Sequence, residues 1–178
     1  MRWMWIDRVV ELTPHERLVA IKNVSLAEEH LHDHFPGVQG GRAAMPIMPA
    51  SLILEGMAQT AGILVGHSEG FREKVILAKI GRAELSAEAL PGDRLWYTAR
   101  ITSKTGAGAS TEGVVELERP GGSPGGPGVQ TRSEIGRIEM MFSHLDQNLA
   151  GERFPEHNFV FSEGFRTLLR TSGVEATF

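Results

Sequence analysis

The sequence of 178 residues contains no cysteine. This absence excludes disulfide bonds, thiolate metal sites, iron–sulfur clusters and cysteine nucleophiles, and it fits a reducing compartment. The sequence also has no excess of basic residues. It contains 18 Lys and Arg residues and 22 Asp and Glu residues, which give a formal net charge of −4. Nucleic-acid-binding proteins usually carry such an excess, so we expect no nucleic-acid partner.

Long apolar runs are missing as well. The longest stretch, residues 52–65, is interrupted by a glutamate, a glutamine and a threonine, and it is shorter than the roughly 20 residues that a spanning helix needs. Asp7 and Arg8 occupy the place where a signal peptide has its apolar core. We therefore expect a cytoplasmic protein without membrane insertion.

The pattern of apolar residues predicts an α+β fold in a chain of single-domain length. Residues from Ala50 onward are apolar on nearly every side, which is typical of a buried central helix that begins at Pro49 and ends at Gly66 or Gly70. Alternating or short apolar segments predict strands at residues 17–25, 75–80, 94–102, 110–118 and 137–144. Residues 119–130 are rich in Gly and Pro and match no phosphate-binding motif, so we expect a flexible loop, and residues 165–170 favour a short helix.

Glu55 is the most informative polar residue, because it lies in the middle of this apolar helix. Burial of a carboxyl group raises its pKa, so Glu55 is a candidate general acid. A polar stripe on one side of this helix is formed by Ser51, Glu55 and Gln59, which are spaced four residues apart. On this stripe the Gln59 side chain can hydrogen-bond Glu55 and orient its carboxyl group. A solvated edge or a buried ion pair is the alternative for Glu55. For Ser51, a polar position in the first helical turn is favoured over a nucleophile, since neither GxSxG nor SxxK occurs.

Three histidines, His30, His32 and His34, occur at alternate positions. On a strand they would share one face and two of them could bind a metal ion. The segment ends in Pro-Gly, however, and the sequence offers no further cluster of ligands. Ordinary surface positions are therefore the favoured interpretation of His30 and His32, and we expect no metal site.

Three motifs follow one another in a specific order: HFPG at residues 34–37, PIMPA at 46–50 and EGMAQ at 55–59. Together with the preceding IDRVVEL and ERLVAIKNVS segments, the PGD turn at 91–93 and the strand that ends in MMFSHLD, they resemble the 3-hydroxyacyl-acyl-carrier-protein dehydratases. The resemblance covers roughly residues 4–146 and implies a hot-dog fold, in which an antiparallel sheet wraps a long buried helix. We expect this domain to comprise residues 1–146, and residues 147–178 to be a C-terminal extension of unknown role.

The resemblance also implies a function in fatty-acid or related lipid biosynthesis. His34 would take a proton from C2 of a 3-hydroxyacyl thioester, and Glu55 would protonate the leaving 3-hydroxyl to give a trans-2-enoyl thioester. The two side chains would come from different subunits, so a homodimer or larger homo-oligomer is expected. Backbone N–H groups near Ala50 would bind the thioester carbonyl, with Gly37 and Gln59 as further substrate-binding residues, and no metal or organic cofactor is implied. Glutamate instead of aspartate at position 55 resembles the branch that dehydrates without isomerising.

The sequence departs from the family pattern at three places. Eight residues, 38–45, separate the HFPG and PIMPA motifs where one is usual, and this insertion could reshape the entrance or displace His34. Asp33 replaces the usual glycine before the histidine. Glu84 and Glu88 lie where basic residues usually face an acidic carrier protein, so a coenzyme A thioester is an open alternative to acyl carrier protein.

Two other functions stay open at the level of sequence. A hot-dog thioesterase would use Glu55 to activate water at the thioester carbonyl. A non-catalytic acyl-thioester-binding or regulatory protein would keep the fold without turnover.

Overall fold

A computed structural model describes residues 3–121, 131–148 and 154–176 of the chain. Six strands and four helices occur within these residues. The strands are β1 (Arg8–Thr13), β2 (Arg17–Asn23), β3 (Val75–Leu85), β4 (Arg94–Thr105), β5 (Gly108–Arg119) and β6 (Thr131–His144). The helices are α1 (Glu29–Asp33), α2 (Ala50–Ser68), α3 (Leu145–Asn148) and α4 (Glu163–Thr171).

The six strands form one antiparallel sheet in the order β1-β2-β4-β5-β6-β3. The alternation predicted for β4 is confirmed, since Leu95, Tyr97 and Ala99 are buried and the residues between them are half-exposed. The buried side of the sheet packs on α2, which contacts β2 to β6. The predicted α+β fold with a central helix is therefore confirmed.

Glycine residues bring α2 unusually close to the sheet. A Cβ atom on Gly56 would lie only 2.6 Å from the hydroxyl oxygen of Tyr97, and a Cβ atom on Gly113 would overlap the side chain of Met57. Tyr97 is completely buried beneath the helix, and this burial raises the pKa of its hydroxyl group. The close contact fixes the height of α2 above β4 and β5, and with it the position of the polar stripe.

The end of α2 falls at Ser68, between the two glycines that the sequence offered as its end. Gly70 adopts the left-handed conformation with φ of +58°, which terminates the helical path at low cost. The carbonyl of Gly66 accepts the N–H of Phe71 at 2.8 Å. Gly66 itself stays helical and lies directly beneath the ring of Phe161.

The C-terminal residues join the same hydrophobic core. The predicted short helix is confirmed as α4, and Phe161, Leu168 and Leu169 are buried against the core around α2. The N–H of Val9 donates to Oγ of Ser172 at 3.0 Å, which ties the end of α4 to β1. The loop predicted for 119–130 lies outside the described residues from 122 onward. No helix in the described part of the chain is long and apolar enough to cross a membrane.

Candidate active site

The three histidines lie on and directly after α1 and not on a strand, so they do not share one face. Successive helical residues point about 100° apart, which separates His32 from His30 and His34. Nε2 of His32 lies 2.7 Å from the carbonyl oxygen of Leu26. Within the three described ranges, no group of three or more His, Asp or Glu side chains is arranged to hold a metal ion.

His34 caps the C-terminus of α1, and its own N–H donates to the carbonyl of His30 at 3.0 Å. Its Nδ1 atom lies 3.0 Å from the carbonyl oxygen of Ile47. A carbonyl oxygen can only accept a hydrogen bond, so this contact places the proton of the neutral ring on Nδ1. Nε2 consequently keeps its lone pair, and His34 can act as a base at that atom.

The insertion at residues 38–45 forms an exposed loop that closes on itself. The N–H of Val38 donates to the carbonyl of Arg42 at 2.9 Å, and the N–H of Met45 donates to the carbonyl of Phe35 at 3.0 Å. These bonds return the chain to the HFPG motif after the extra residues. The insertion therefore projects outward from the base of the motif.

Gly37 permits this closure. A Cβ atom at Gly37 would lie 3.2 Å from the backbone nitrogen of Ala44, so any larger residue would press on the returning chain. The return brings Ile47 beside His34, where its carbonyl holds the ring. Gly37 itself is exposed, and its place in the structure is to let the backbone return beside the histidine.

A cavity of about 580 Å³ connects His34 with the start of α2. Its lining includes Trp3, Trp5, His30, Asp33, Pro49 and Leu52. Because Pro49 is the N-cap, the first N–H groups of α2, starting at the exposed Ala50, have no carbonyl partner inside the helix. The helix dipole adds partial positive charge at the same place. This end of the cavity is suited to an oxygen atom that carries negative charge.

Glu55 is half-buried on α2, and Nε2 of Gln59 donates to its Oε1 at 2.8 Å. The Gln59 side chain is itself only 5% exposed and makes two further hydrogen bonds. Its Nε2 also donates to the carbonyl of Trp3 at 2.8 Å, and its Oε1 accepts the N–H of Trp5 at 2.8 Å. The backbone groups define which end of the amide is nitrogen, so Gln59 presents a donor to Glu55. The predicted orienting contact between these residues is present, whereas Ser51 is exposed.

Glu55 lines a second cavity, of about 270 Å³, between α2, β3 and the C-terminal segment. The helix supplies Glu55, Ala58, Gln59, Gly62 and Ile63, and β3 supplies Val75, Ile76 and Leu77. The C-terminal segment contributes Val160, Phe161 and Phe165. Within one chain, Glu55 and His34 thus line two different cavities.

Two groups of lining residues were not predicted from the sequence. Trp3 and Trp5 wall the His34 cavity and hold Gln59 through their backbones, and Phe161 and Phe165 wall the Glu55 cavity. A weak indication of the first group was present in the sequence, because two of the three tryptophans of the chain, Trp3 and Trp5, are separated by a single residue. No periodicity or motif marked the second group.

A family model described as a FabA-like domain matches residues 2–118. Relatives of similar sequence include a 3-hydroxyacyl-[acyl-carrier-protein] dehydratase FabZ of Streptococcus agalactiae, 36% identical over 114 residues that cover 64% of this chain and 76% of the relative. The enzyme of the same name from Myxococcus xanthus is 35% identical over 119 residues, which cover 65% of this chain and 73% of that protein.

Solved structures of similar fold are more distant in sequence. The PaaI protein of Escherichia coli has a TM-score of 0.52 and 6% identity, with 77% of this chain and 78% of that chain covered. A thioesterase family protein from Silicibacter pomeroyi has a TM-score of 0.51 and 12% identity, with 76% and 82% covered. These similarities concern the fold alone, and they confirm the predicted hot-dog architecture.

Proposed function

Because this chain belongs to the FabA-like family, we propose that it dehydrates 3-hydroxyacyl thioesters of acyl carrier protein to trans-2-enoyl thioesters and water. The similar dehydratases from S. agalactiae and M. xanthus support this reaction. The observation that carries it is a complementary pair: His34 with a free lone pair on Nε2, and Glu55 with its carboxyl group oriented by Gln59. One is suited to remove a proton and the other to supply one.

In the proposed reaction, Nε2 of His34 takes a proton from C2 of the substrate. The electron pair of the C2–H bond forms the C2–C3 double bond while the bond between C3 and its hydroxyl oxygen breaks. The carboxyl group of Glu55 gives its proton to this leaving oxygen, and water departs. Each acid–base step of this kind contributes roughly 10²–10⁴-fold to the rate.

The thioester carbonyl gains negative charge as C2 loses its proton. In our proposal the first N–H groups of α2, at Ala50 and Ser51, stabilise that oxygen, since the cavity that His34 lines also reaches Pro49 and Leu52 at this end of the helix. Donors fixed in place before the reaction need no reorganisation when the charge appears. Gly37 serves this site indirectly by letting the chain return past His34.

We propose that the complete site forms between two subunits. In one chain His34 and Glu55 line different cavities, which fits a site whose two halves come from different copies. The strand β3 lies at the edge of the sheet, and no strand among the described residues pairs with its outer side. Exposed apolar side chains accompany this edge at Leu77, Ile80 and Met141. A long edge strand of this kind favours pairing with a second copy.

Acyl carrier protein is the proposed carrier, although the sequence left coenzyme A open. The acidic residue Glu84, which argued against an acidic partner, is paired with Arg82 through two contacts of 2.8 Å. The local charge is therefore closer to neutral than the sequence alone indicates. Glu88 remains exposed on this side. The cytoplasm stays the predicted compartment for this reaction.

The test is hydration of a trans-2-enoyl thioester, the reverse reaction, followed by loss of enoyl absorbance on carrier protein and on coenzyme A. Wild type is compared with His34→Ala and Glu55→Gln. We expect turnover on the carrier protein that each substitution lowers at least about a hundredfold. Release of free thiol instead of hydration would indicate a thioesterase, and binding without turnover that survives Glu55→Gln would indicate a binding protein.

A further inference from the structure

The C-terminal segment of the chain forms one wall of the cavity beside Glu55. Val160, Phe161 and Phe165 of this segment complete a lining whose polar members are Glu55 and Gln59. The matched family domain ends at residue 118, so these three side chains lie beyond it. The part of the cavity away from Glu55 is therefore apolar and is partly built by the segment after the last strand.

The cavity runs along one side of α2. Glu55, Gln59, Gly62 and Gly66 follow at spacings of four, three and four, which keeps them on the same side of a helix. The rise from Glu55 to Gly62 is about 10 Å. One turn further, the ring of Phe161 packs so closely on Gly66 that a Cβ atom there would overlap it. The acid thus lies at one end of this side and an aromatic ring closes the other.

The closing wall is firmly held. Nδ2 of Asn158 donates to the carbonyl of Phe71 at 2.8 Å and to that of Glu73 at 2.9 Å, which fixes the chain just before the wall. The ring of Phe161 meets that of Phe71 edge to face at 4.9 Å and that of Phe165 at 5.9 Å. Phe161 is only 2% exposed. A rigid, well-packed wall of this kind resists displacement by a ligand.

We propose that this C-terminal wall limits the length of the acyl chain, with Phe165 and Phe161 as the specificity-determining residues. The inference rests on the proposed function, because the reaction places C3 of the substrate beside Glu55. The carbons beyond C3 then extend into the apolar part of the cavity toward the two rings. The cavity of about 270 Å³ ends at these rings, so they determine how far the acyl chain can extend.

The test compares kcat/KM for hydration of trans-2-enoyl thioesters of four, eight, twelve and sixteen carbons. Phe165 is half-buried, so Phe165→Ala removes the ring with less loss of core packing than a change at Phe161. The matched control is Phe159→Ala, because Phe159 belongs to the same segment but is 45% exposed and absent from the lining. We expect Phe165→Ala to raise the twelve-carbon to four-carbon ratio by about tenfold or more, the scale on which apolar pockets discriminate. The ratio of Phe159→Ala should stay within about twofold of wild type.

A second variant, Gly62→Ala, should shift the preference for chain length in the opposite direction, toward shorter chains. A Cβ atom on Gly62 would meet Phe142 at 3.5 Å, an ordinary contact, and would narrow the cavity without strain. Gly62→Ala should therefore lower activity on eight carbons relative to four, and it keeps the proposal testable if Phe165→Ala fails to fold. An unchanged preference for chain length in an active, folded Phe165→Ala or Gly62→Ala enzyme would overturn this inference but leave the proposed function in place. A wild type without hydration at any length would remove the proposed function as well.

Discussion

Gln59 holds Glu55 through a hydrogen bond of 2.8 Å from Nε2 to Oε1, and it is in turn held by the start of the chain. The carbonyl of Trp3 accepts from the same nitrogen, and the N–H of Trp5 donates to the amide oxygen. With its other contacts satisfied, the amide cannot rotate without losing backbone hydrogen bonds. The N-terminal segment thereby determines the direction of the carboxyl group in the middle of a buried helix.

We expect Gln59→Met to lower kcat for hydration by roughly 10–100-fold, since a hydrogen bond to a charged group contributes about 1.5–3 kcal/mol. KM should change less than about twofold, because Gln59 acts through Glu55. Steady-state kinetics measured across pH check this prediction. The apparent pKa values of the acidic and basic limbs of the rate profile should shift only if Gln59 orients the acid. A variant with lowered thermal stability and an unchanged kcat would show that Gln59 has a structural role only.

The contrast between two glycines of α2 gives a stability prediction. Gly66→Ala would push a methyl group into the ring of Phe161, and we expect a loss of about 1–3 kcal/mol in the free energy of unfolding. Gly62→Ala has room for its methyl group and gains helix propensity of up to about 1 kcal/mol. Urea unfolding of both variants measures the difference. Equal effects of the two substitutions would contradict the packing of Phe161 on α2.

His30 provides a prediction for pH dependence. Burial lowers the pKa of His30, with smaller lowering contributions from Lys22 and His34 and an opposing one from Glu28. Below about pH 6.5 the unfolded chain therefore binds a proton at His30 more readily than the folded chain does. Stability contributed by the neutral ring is present above that pH and is lost as the pH falls toward the lowered folded value.

The comparison that isolates this effect is His30→Gln against wild type. Thermal midpoints recorded between pH 5 and 8 should fall more steeply below pH 6.5 in wild type than in the variant, since glutamine has no proton to gain. The ring of His30 packs edge to face on Trp5 at 5.0 Å, so the variant should also be less stable at pH 8. Parallel curves for the two proteins would show that His30 titrates as it does in the unfolded chain.

The free edge of β3 gives a prediction for assembly. Ile80→Asp introduces a charge at the edge and should convert the dimer to a monomer, with loss of activity, because charges on an edge strand oppose pairing. Val10→Asp is the control, since Val10 is similarly exposed on β1 at the opposite edge. Light scattering after size exclusion gives the mass of each variant. A dimeric and fully active Ile80→Asp protein would exclude this edge as the interface.

Much of the fold was predictable because its signals are local. The alternation along β4 and the apolar composition of α2 reflect contacts that every residue of the element makes with one core. The helix α1 was not predicted, because alternate histidines carry no apolar periodicity and this short helix depends on the burial of Leu31 alone. Helices of this length are not stable by themselves and form through tertiary contacts.

The candidate site was predictable only in part. The order of the HFPG, PIMPA and EGMAQ motifs indicated His34 and Glu55 as candidates, and spacing on the helix predicted the contact of Gln59 with Glu55. The supports of Gln59 at Trp3 and Trp5 are more than fifty positions away in sequence, and no spacing rule connects them. The contact of Phe161 with Gly66 likewise joins distant segments, so it becomes visible only in the folded chain, where the residues before α4 pack on α2.

The measurement that tests the central claim most directly is complementation between two inactive chains. In a two-fold dimer whose sites each combine His34 of one subunit with Glu55 of the other, a chain with His34→Ala and a chain with Glu55→Gln form one intact site per mixed dimer. Equal mixing with full exchange makes half of the dimers mixed, so we expect about one quarter of the wild-type activity. No recovery in mixtures whose subunit exchange is demonstrated by mass spectrometry would contradict a site shared by His34 and Glu55.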